Sequence, residues 1–289
     1  MKEKPLIIFD TDMDTDCDDA GALLMLINAH ISGEITLAGV IADSMCEFAA
    51  PFCQKVLNYY GLKLPVGEIY GHIEPSNRFD AYIKHQKACT DVSYNRVLDL
   101  QSRSIYNSTE LYLNLLREAD DESVTILCVG MLTSVYEAMK SDPGLFAKKV
   151  KRFVLMGNPY KENDFNFSMD AYATKCFFES RQRPTFISYE GSNVITGNLL
   201  NTTLEENHPV RQAYEIWSHG HGRSSWDLIA ALFAINPRLD VFKAVDTGLL
   251  TYNSQCKTAF IDKTATQDTV IGLSCTNDEM ESILNNLLK

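Results

Sequence analysis

Hydrophobic positions along this chain fall into two kinds of segment: short unbroken apolar runs, and longer stretches with helix-like spacing. Leu6, Ile7, Ile8 and Phe9 form an apolar run that ends at Asp10, the pattern of a strand buried on both faces. Residues 35–42, 124–129 and 153–155 read the same way, and residues 185–189 as a fifth strand. Residues 20–29, 49–60, 110–118 and 225–233 read as helices; Gly61 stops the second, and Gly157-Asn158-Pro159 marks a turn after the fourth strand. Strands separated by helices predict an α/β fold with a single open, mostly parallel sheet and helices on both faces. No low-complexity linker or internal repeat divides residues 1–289, so one domain is expected. Residues 72–104 are polar and poorly periodic, and read as a surface excursion or a lid.

Composition narrows the function. With 289 residues, 45% of them hydrophobic, the chain can bury a sizeable core. No apolar run reaches the roughly 18 residues of a membrane span. The Met-Lys-Glu-Lys-Pro start leads into a stretch too short for a signal peptide, so a cytoplasmic location is expected. A net charge of −12 and a pI near 4.9 argue against a nucleic-acid partner and favour a cation or a neutral small molecule. The eight cysteines are scattered without a Cys-x-x-Cys pair and read as small buried hydrophobes.

The most informative segment runs from Asp10 to Asp19 and carries six carboxylates, at Asp10, Asp12, Asp14, Asp16, Asp18 and Asp19. It joins the first strand to the first helix, at the strand end where open α/β sheets bind ligands. Crowded carboxylates repel, and an oxygen-only cluster suits Ca²⁺ or Mg²⁺. A helix macrodipole favours one or two aspartates at an N-terminus, not six. An EF-hand is excluded: no register supplies its glycine and final glutamate, and a strand rather than a helix leads in. A haloacid-dehalogenase-type phosphatase would use Asp10-Thr11-Asp12, with Asp10 as nucleophile, but Asp14 stands where Thr or Val belongs.

The loop resembles the Asp-x-Asp-x-x-x-Asp-Asp-Ala signature of the inosine–uridine-preferring nucleoside hydrolases. Asp18-Asp19-Ala20 matches its end; Asp10 and Asp12 match its beginning if two extra residues are allowed, and Asp12 and Asp14 match without a gap. Three later segments match in order: Val129-Gly130-Met131-Leu132-Thr133-Ser134, Asp164-Phe165-Asn166 (followed by Asp170 and Ala171), and Trp226-Asp227. The resemblance implies a calcium-dependent nucleoside N-ribohydrolase, a homo-oligomer (dimer or tetramer), with a place in nucleoside salvage. It implies Ca²⁺ held by Asp12, Asp19, Asp227 and the Val129 carbonyl. It also implies a sugar gripped by Asp18, Asp164 and Asn166, with Trp226 at the base. The chain departs from the family at Trp226, where some members place a His that assists the leaving base. It also lacks the family's Gly-Asn near Ala42-Asp43-Ser44, and Asp164 is one methylene shorter than the family's Glu.

Such residues suit the chemistry. Breaking a ribosyl C–N bond builds positive charge on the sugar ring. Asp12 is placed to take a proton from the attacking water. Trp226 cannot act as an acid near neutral pH, but it can stack on a base. A side-chain proton donor is therefore expected from the preceding loop, at His219, His221 or Arg223. A non-catalytic relative that binds a ribosyl ligand is the remaining alternative.

Overall fold

A computed structural model describes residues 4–69 and 105–289; the expected excursion at 72–104 lies outside the described residues. The strands are β1 (Leu6–Thr11), β2 (Thr36–Ala42), β3 (Val66–Glu68), β4 (Ile105–Asn107), β5 (Val124–Cys128) and β6 (Val150–Met156). They continue with β7 (Thr185–Ser188), β8 (Ile195–Thr196), β9 (Arg223–Ser224), β10 (Phe242–Asn253), β11 (Thr258–Asp262) and β12 (Asp268–Leu273). The helices are α1 (Asp18–Ile31), α2 (Ala49–Tyr59), α3 (Ser108–Glu118), α4 (Thr133–Ser141), α5 (Pro143–Lys149) and α6 (Phe165–Met169). After these come α7 (Ala171–Ser180), α8 (Leu200–Thr203), α9 (Pro209–Ser218), α10 (Trp226–Ile235) and α11 (Asn277–Leu287).

Ten strands form one sheet in the order β11-β10-β12-β7-β6-β5-β1-β2-β3-β4. Pairing is parallel from β12 across to β4, and β10 runs antiparallel to both its neighbours. The sheet is thus large and mostly parallel, as the alternating pattern predicts. β1 explains how both faces are covered. Ile7 and Phe9 point into one apolar cluster with α1, α2 and α10, while Ile8 points into the other with α3, α4 and α7. Successive strand residues face opposite sides, so an unbroken apolar run serves two cores at once. Helix α10 is buried along its whole length from Asp227 to Ile235 and packs on α1, β5, β6 and β7. A helix apolar all round belongs in such a position.

The topology sets the site. β1 pairs with β2 on one side and with β5 on the other, so the chain leaves β1 and β5 in opposite directions. Their carboxyl ends open a crevice at this switch point. The structure differs from expectation in several places. No element is foreseen for 242–273, where β10, β11 and β12 complete the sheet with β10 between the other two. Cys46 is disulfide-bonded rather than a free buried thiol, whereas the other six described cysteines are free. Among the described residues no helix is long and apolar enough to cross a membrane.

Candidate active site

The acidic loop emerges from β1 into the crevice. Its first carboxylate, Asp10, is fully buried and accepts a hydrogen bond from the Tyr112 hydroxyl. It does not line the open cavity. An aspartyl nucleophile at Asp10 therefore has no access to a substrate, which removes the phosphatase reading. From Asp12 the chain folds into a tight turn: the Thr15 N–H donates to the Asp12 carbonyl at 3.1 Å, and the Thr15 hydroxyl to the Asp12 carboxylate at 2.6 Å. Asp14 occupies the left-handed region of this turn, φ 79°, a conformation that Asp tolerates better than most residues. Asp12, Thr15, Asp16, Asp18 and Asp19 line the cavity, and Asp14 is not among the lining residues.

Two helix N-termini converge on the floor. Asp18 and Asp19 stand in the first turn of α1, and Asp227 in the first turn of α10. Neither helix has a capping side chain at its own N-cap. Instead the Asp18 carboxylate accepts from the Asp227 N–H at 3.2 Å, so one helix is capped by the first turn of the other. The Thr11 hydroxyl donates to Asp19. Each of Asp18, Asp19 and Asp227 offers an oxygen within 4.8 Å of the others, and all three are buried. Asp18, expected at the sugar alone, thus also stands in the acidic triad, while Asp12 lies beside it.

Electrostatics show what this cluster lacks. Burial, followed by neighbouring carboxylates, pushes Asp18, Asp19 and Asp227 well above the usual carboxylate range. Burial raises Asp12 to about 6, against the pull of the Thr15 hydrogen bond. The macrodipoles of α1 and α10 offset part of the repulsion. One oxygen of Asp227 remains buried with no hydrogen-bond partner, and buried polar atoms are rarely left so. Hard oxygen donors and an orphaned buried oxygen fit a divalent cation such as Ca²⁺.

The opposite wall comes from β5, β6 and α6. Gly130 follows β5 and packs on the loop: a β-carbon there would stand 2.5 Å from the Asp12 nitrogen. Asn166 donates its amide to the Val129 carbonyl at 2.5 Å and to the Met156 carbonyl at 3.2 Å. Asp164 caps α6, accepting from Phe167 N–H at 3.3 Å and Asn158 N–H at 3.0 Å. Burial raises its pKa. Both Asp164 and Asn166 line the cavity.

The cavity holds about 610 Å³, and Tyr189, Ser192, Trp217, Arg223 and Trp226 form its remaining, outer wall. Gly191 (φ 150°) lets the chain pass under Trp226; a β-carbon there would stand 2.7 Å from the Trp226 backbone. The loop histidines go elsewhere. His219 ends α9 in the left-handed region, φ 52°, and both it and His221 are exposed and do not line the cavity. The expected histidine donors are therefore not at the site, and only Arg223 of that loop faces the cavity.

Two sets of polar contacts around the cavity escaped the sequence reading. Asp16 binds Arg223 through both guanidinium edge nitrogens, Nε to Oδ2 at 2.8 Å and Nη2 to Oδ2 at 2.5 Å. Asp43, where the Gly-Asn is missing, is buried and accepts from the Thr133 and Ser134 N–H groups at 3.0 and 3.1 Å. It caps α4 from another strand, since Leu132 at the N-cap cannot.

An open α/β sheet with a carboxylate floor and an aromatic outer wall at its switch point defines a small-molecule enzyme with a cation-type site. The profile of the inosine-uridine preferring nucleoside hydrolases matches residues 7–279, and the chain belongs to this family. It is accordingly a hydrolase acting on N-glycosyl bonds. Among curated proteins, no sequence matches it. Solved structures share the fold at low identity. The inosine-uridine preferring nucleoside hydrolase from Bacillus anthracis is 16% identical, with a TM-score of 0.72 over 99% of each chain. The purine-preferring ribonucleoside hydrolase from Gardnerella vaginalis is 15% identical, with a TM-score of 0.67 over 98% of this chain and 99% of its own. The type III effector protein XopQ, solved with adenosine diphosphate ribose, is 13% identical, with a TM-score of 0.74 over 100% of this chain and 94% of its own.

Proposed function

We propose that the chain hydrolyses the N-glycosidic bond of a ribonucleoside, releasing base and ribose, with Ca²⁺ at the floor of the cavity. Asp12, Asp19, Asp227 and the Val129 carbonyl would hold the ion, with Asp18 at its edge. The observation that carries this reading is the buried carboxylate triad Asp18, Asp19 and Asp227 at two helix N-termini, opening into a cavity large enough for a nucleoside. When bound, a divalent cation neutralises the floor and lowers the pKa of a coordinated water.

The chain's own groups do the remaining work. Asp12, held by Thr15, accepts the proton of the attacking water. Asp18 accepts hydrogen bonds from the ribose 2′- and 3′-hydroxyls. Asn166 spends its amide nitrogen on two main-chain carbonyls, which leaves its oxygen to meet the sugar. Asp164, raised by burial, adds a second acceptor. Carboxylates on one side of the ring favour the positively charged transition state. Trp226 and Tyr189 flank the base.

A panel of purine and pyrimidine ribonucleosides, assayed for released reducing sugar with and without a calcium chelator, tests this. Sugar release that the chelator stops and added Ca²⁺ restores is the expected result. No release from any member of the panel overturns the reading.

A further inference from the structure

The outer wall of the cavity holds a fixed cation that the reaction outlined above leaves unused. Arg223 lies in β9, between the two tryptophans of the wall. Its guanidinium carbon stands 4.9 Å from the Trp226 ring centre and 5.6 Å from that of Trp217. Asp16 grips it side-on through Nε and Nη2. Two rings and a bidentate carboxylate fix the plane of the group before any ligand arrives. Nη1, on the far edge from Asp16, makes no hydrogen bond among the described residues.

Asp16 belongs to the part of the loop made possible by the Asp12–Thr15 turn. It explains why the loop carries a sixth carboxylate. Without it, a cation in this wall would be drawn to Asp18, whose charge already acts on Arg223, and would compete for the floor. Asp16 keeps the positive charge at the base end and the negative charge at the sugar end.

Leaving-group help is otherwise missing. The loop histidines are exposed and off the cavity. Trp226 has no acidic proton near neutral pH. Tyr189 is pushed above its ordinary value by burial and Glu190.

Resting on the nucleoside-hydrolase reading, we propose that Arg223, set by Asp16, is a catalytic residue that receives the departing base as an anion. As the C1′–N bond breaks, its electron pair passes to the base nitrogen and spreads onto the oxo oxygen, which accepts from an Arg223 N–H. Water adds its oxygen to C1′ and gives one proton to Asp12, and solvent later protonates the released base. A guanidinium does not give up its proton, so it acts by charge and hydrogen bonding alone.

The test compares inosine and p-nitrophenyl riboside, whose phenolate leaves without help, in the calcium-loaded wild type and in Arg223→Gln, Arg223→Lys and Asp16→Asn. Arg223→Gln is expected to lower kcat on inosine by about 100-fold, and on p-nitrophenyl riboside by less than about threefold. Arg223→Lys keeps the charge but loses the fork, and falls between. Asp16→Asn shifts the same substrate ratio in the same direction, and the two sites are non-additive in the double variant. If Arg223→Gln does not fold by circular dichroism, Arg223→Lys and Asp16→Asn carry the comparison. Equal losses on inosine and p-nitrophenyl riboside, or unchanged inosine turnover, overturn the role of Arg223 and leave the hydrolase reading standing. A wild type inert on both substrates overturns the underlying reading and this role together.

Discussion

The Asn166 side-chain amide donates to the Val129 carbonyl at 2.5 Å, tying the residue proposed to meet the sugar to the carbonyl proposed to meet the ion. One hydrogen bond thus links the two proposed subsites. Asn166→Ala should weaken binding of an intact ribonucleoside by about 1–3 kcal/mol through unpaired buried partners. Calorimetry with the calcium-loaded protein reads this directly, and unchanged affinity would remove Asn166 from the sugar site.

Cation binding should stabilise the fold. A ligand bound only by the folded chain at 100 times its Kd adds about 2.7 kcal/mol. Calcium is expected to raise the Tm of the wild type, and a chelator to lower it. Asp19→Asn and Asp227→Asn should lose most of that response. A Tm indifferent to calcium in the wild type would sink the cation site.

The pH dependence of stability should change with calcium. Without the ion, Asp12 is raised from 3.8 to about 6, so between these values the folded chain holds a proton that the unfolded chain has lost. That stability is present at low pH and is lost as pH rises through about 6; at about 1.4 kcal/mol per unit the change is about 3 kcal/mol. His208, buried at the start of α9, is lowered from 6.5 to about 4, chiefly by burial. Its contribution is present above 6.5 and is lost as pH falls towards 4. Calcium removes the Asp12 contribution and leaves those of His208 and of buried carboxylates away from the ion, such as Asp164. Denaturant unfolding between pH 4.5 and 6.5 should show a more positive slope of stability against pH in the loaded protein than without calcium. Parallel profiles would contradict this assignment.

Two glycines hold the site open. An added methyl at Gly130 meets the Asp12 backbone, and one at Gly191 meets that of Trp226. Backbone cannot yield as a flexible side chain can, and overpacking of this kind costs about 1–3 kcal/mol. Gly130→Ala should lower calcium affinity with little effect on the outer wall. Gly191→Ala, which also strains φ 150°, should raise KM with calcium affinity kept. Swapped outcomes would show that the walls are not independent.

The histidines of the 218–222 loop should be dispensable. His219→Ala and His221→Ala are expected to keep wild-type turnover, because neither side chain lines the cavity. Trp226→Phe should keep a π-face and lose less than about tenfold, within the range of one base-stacking contact. A large loss in either histidine variant would restore a role for that loop.

The sequence made the centre of the fold legible and its margins not. β1 and α10 carry apolar runs so continuous that burial is their only reading. β10 alternates, with most of its early residues partly or fully exposed, and its antiparallel partners are set by pairing that no local pattern announces. The acidic floor was legible because six carboxylates in ten residues demand a counter-charge. The register within the loop was not, since it depends on a turn closed by Thr15. The Asp16–Arg223 pair joins residues 207 apart, and the Asp43 contacts with Thr133 and Ser134 join residues 90 and 91 apart. Neither leaves a periodic trace, and only folding brings them together.

The Asp12–Thr15 turn has a wider consequence. It closes on itself through one main-chain and one side-chain hydrogen bond, so the Asp12 carboxylate is oriented by its own loop, whereas Asp18 and Asp19 are carried by the first turn of α1. The acidic floor thus rests on two independent supports, and a change at Thr15 reaches Asp12 without displacing the carboxylates anchored on the helix.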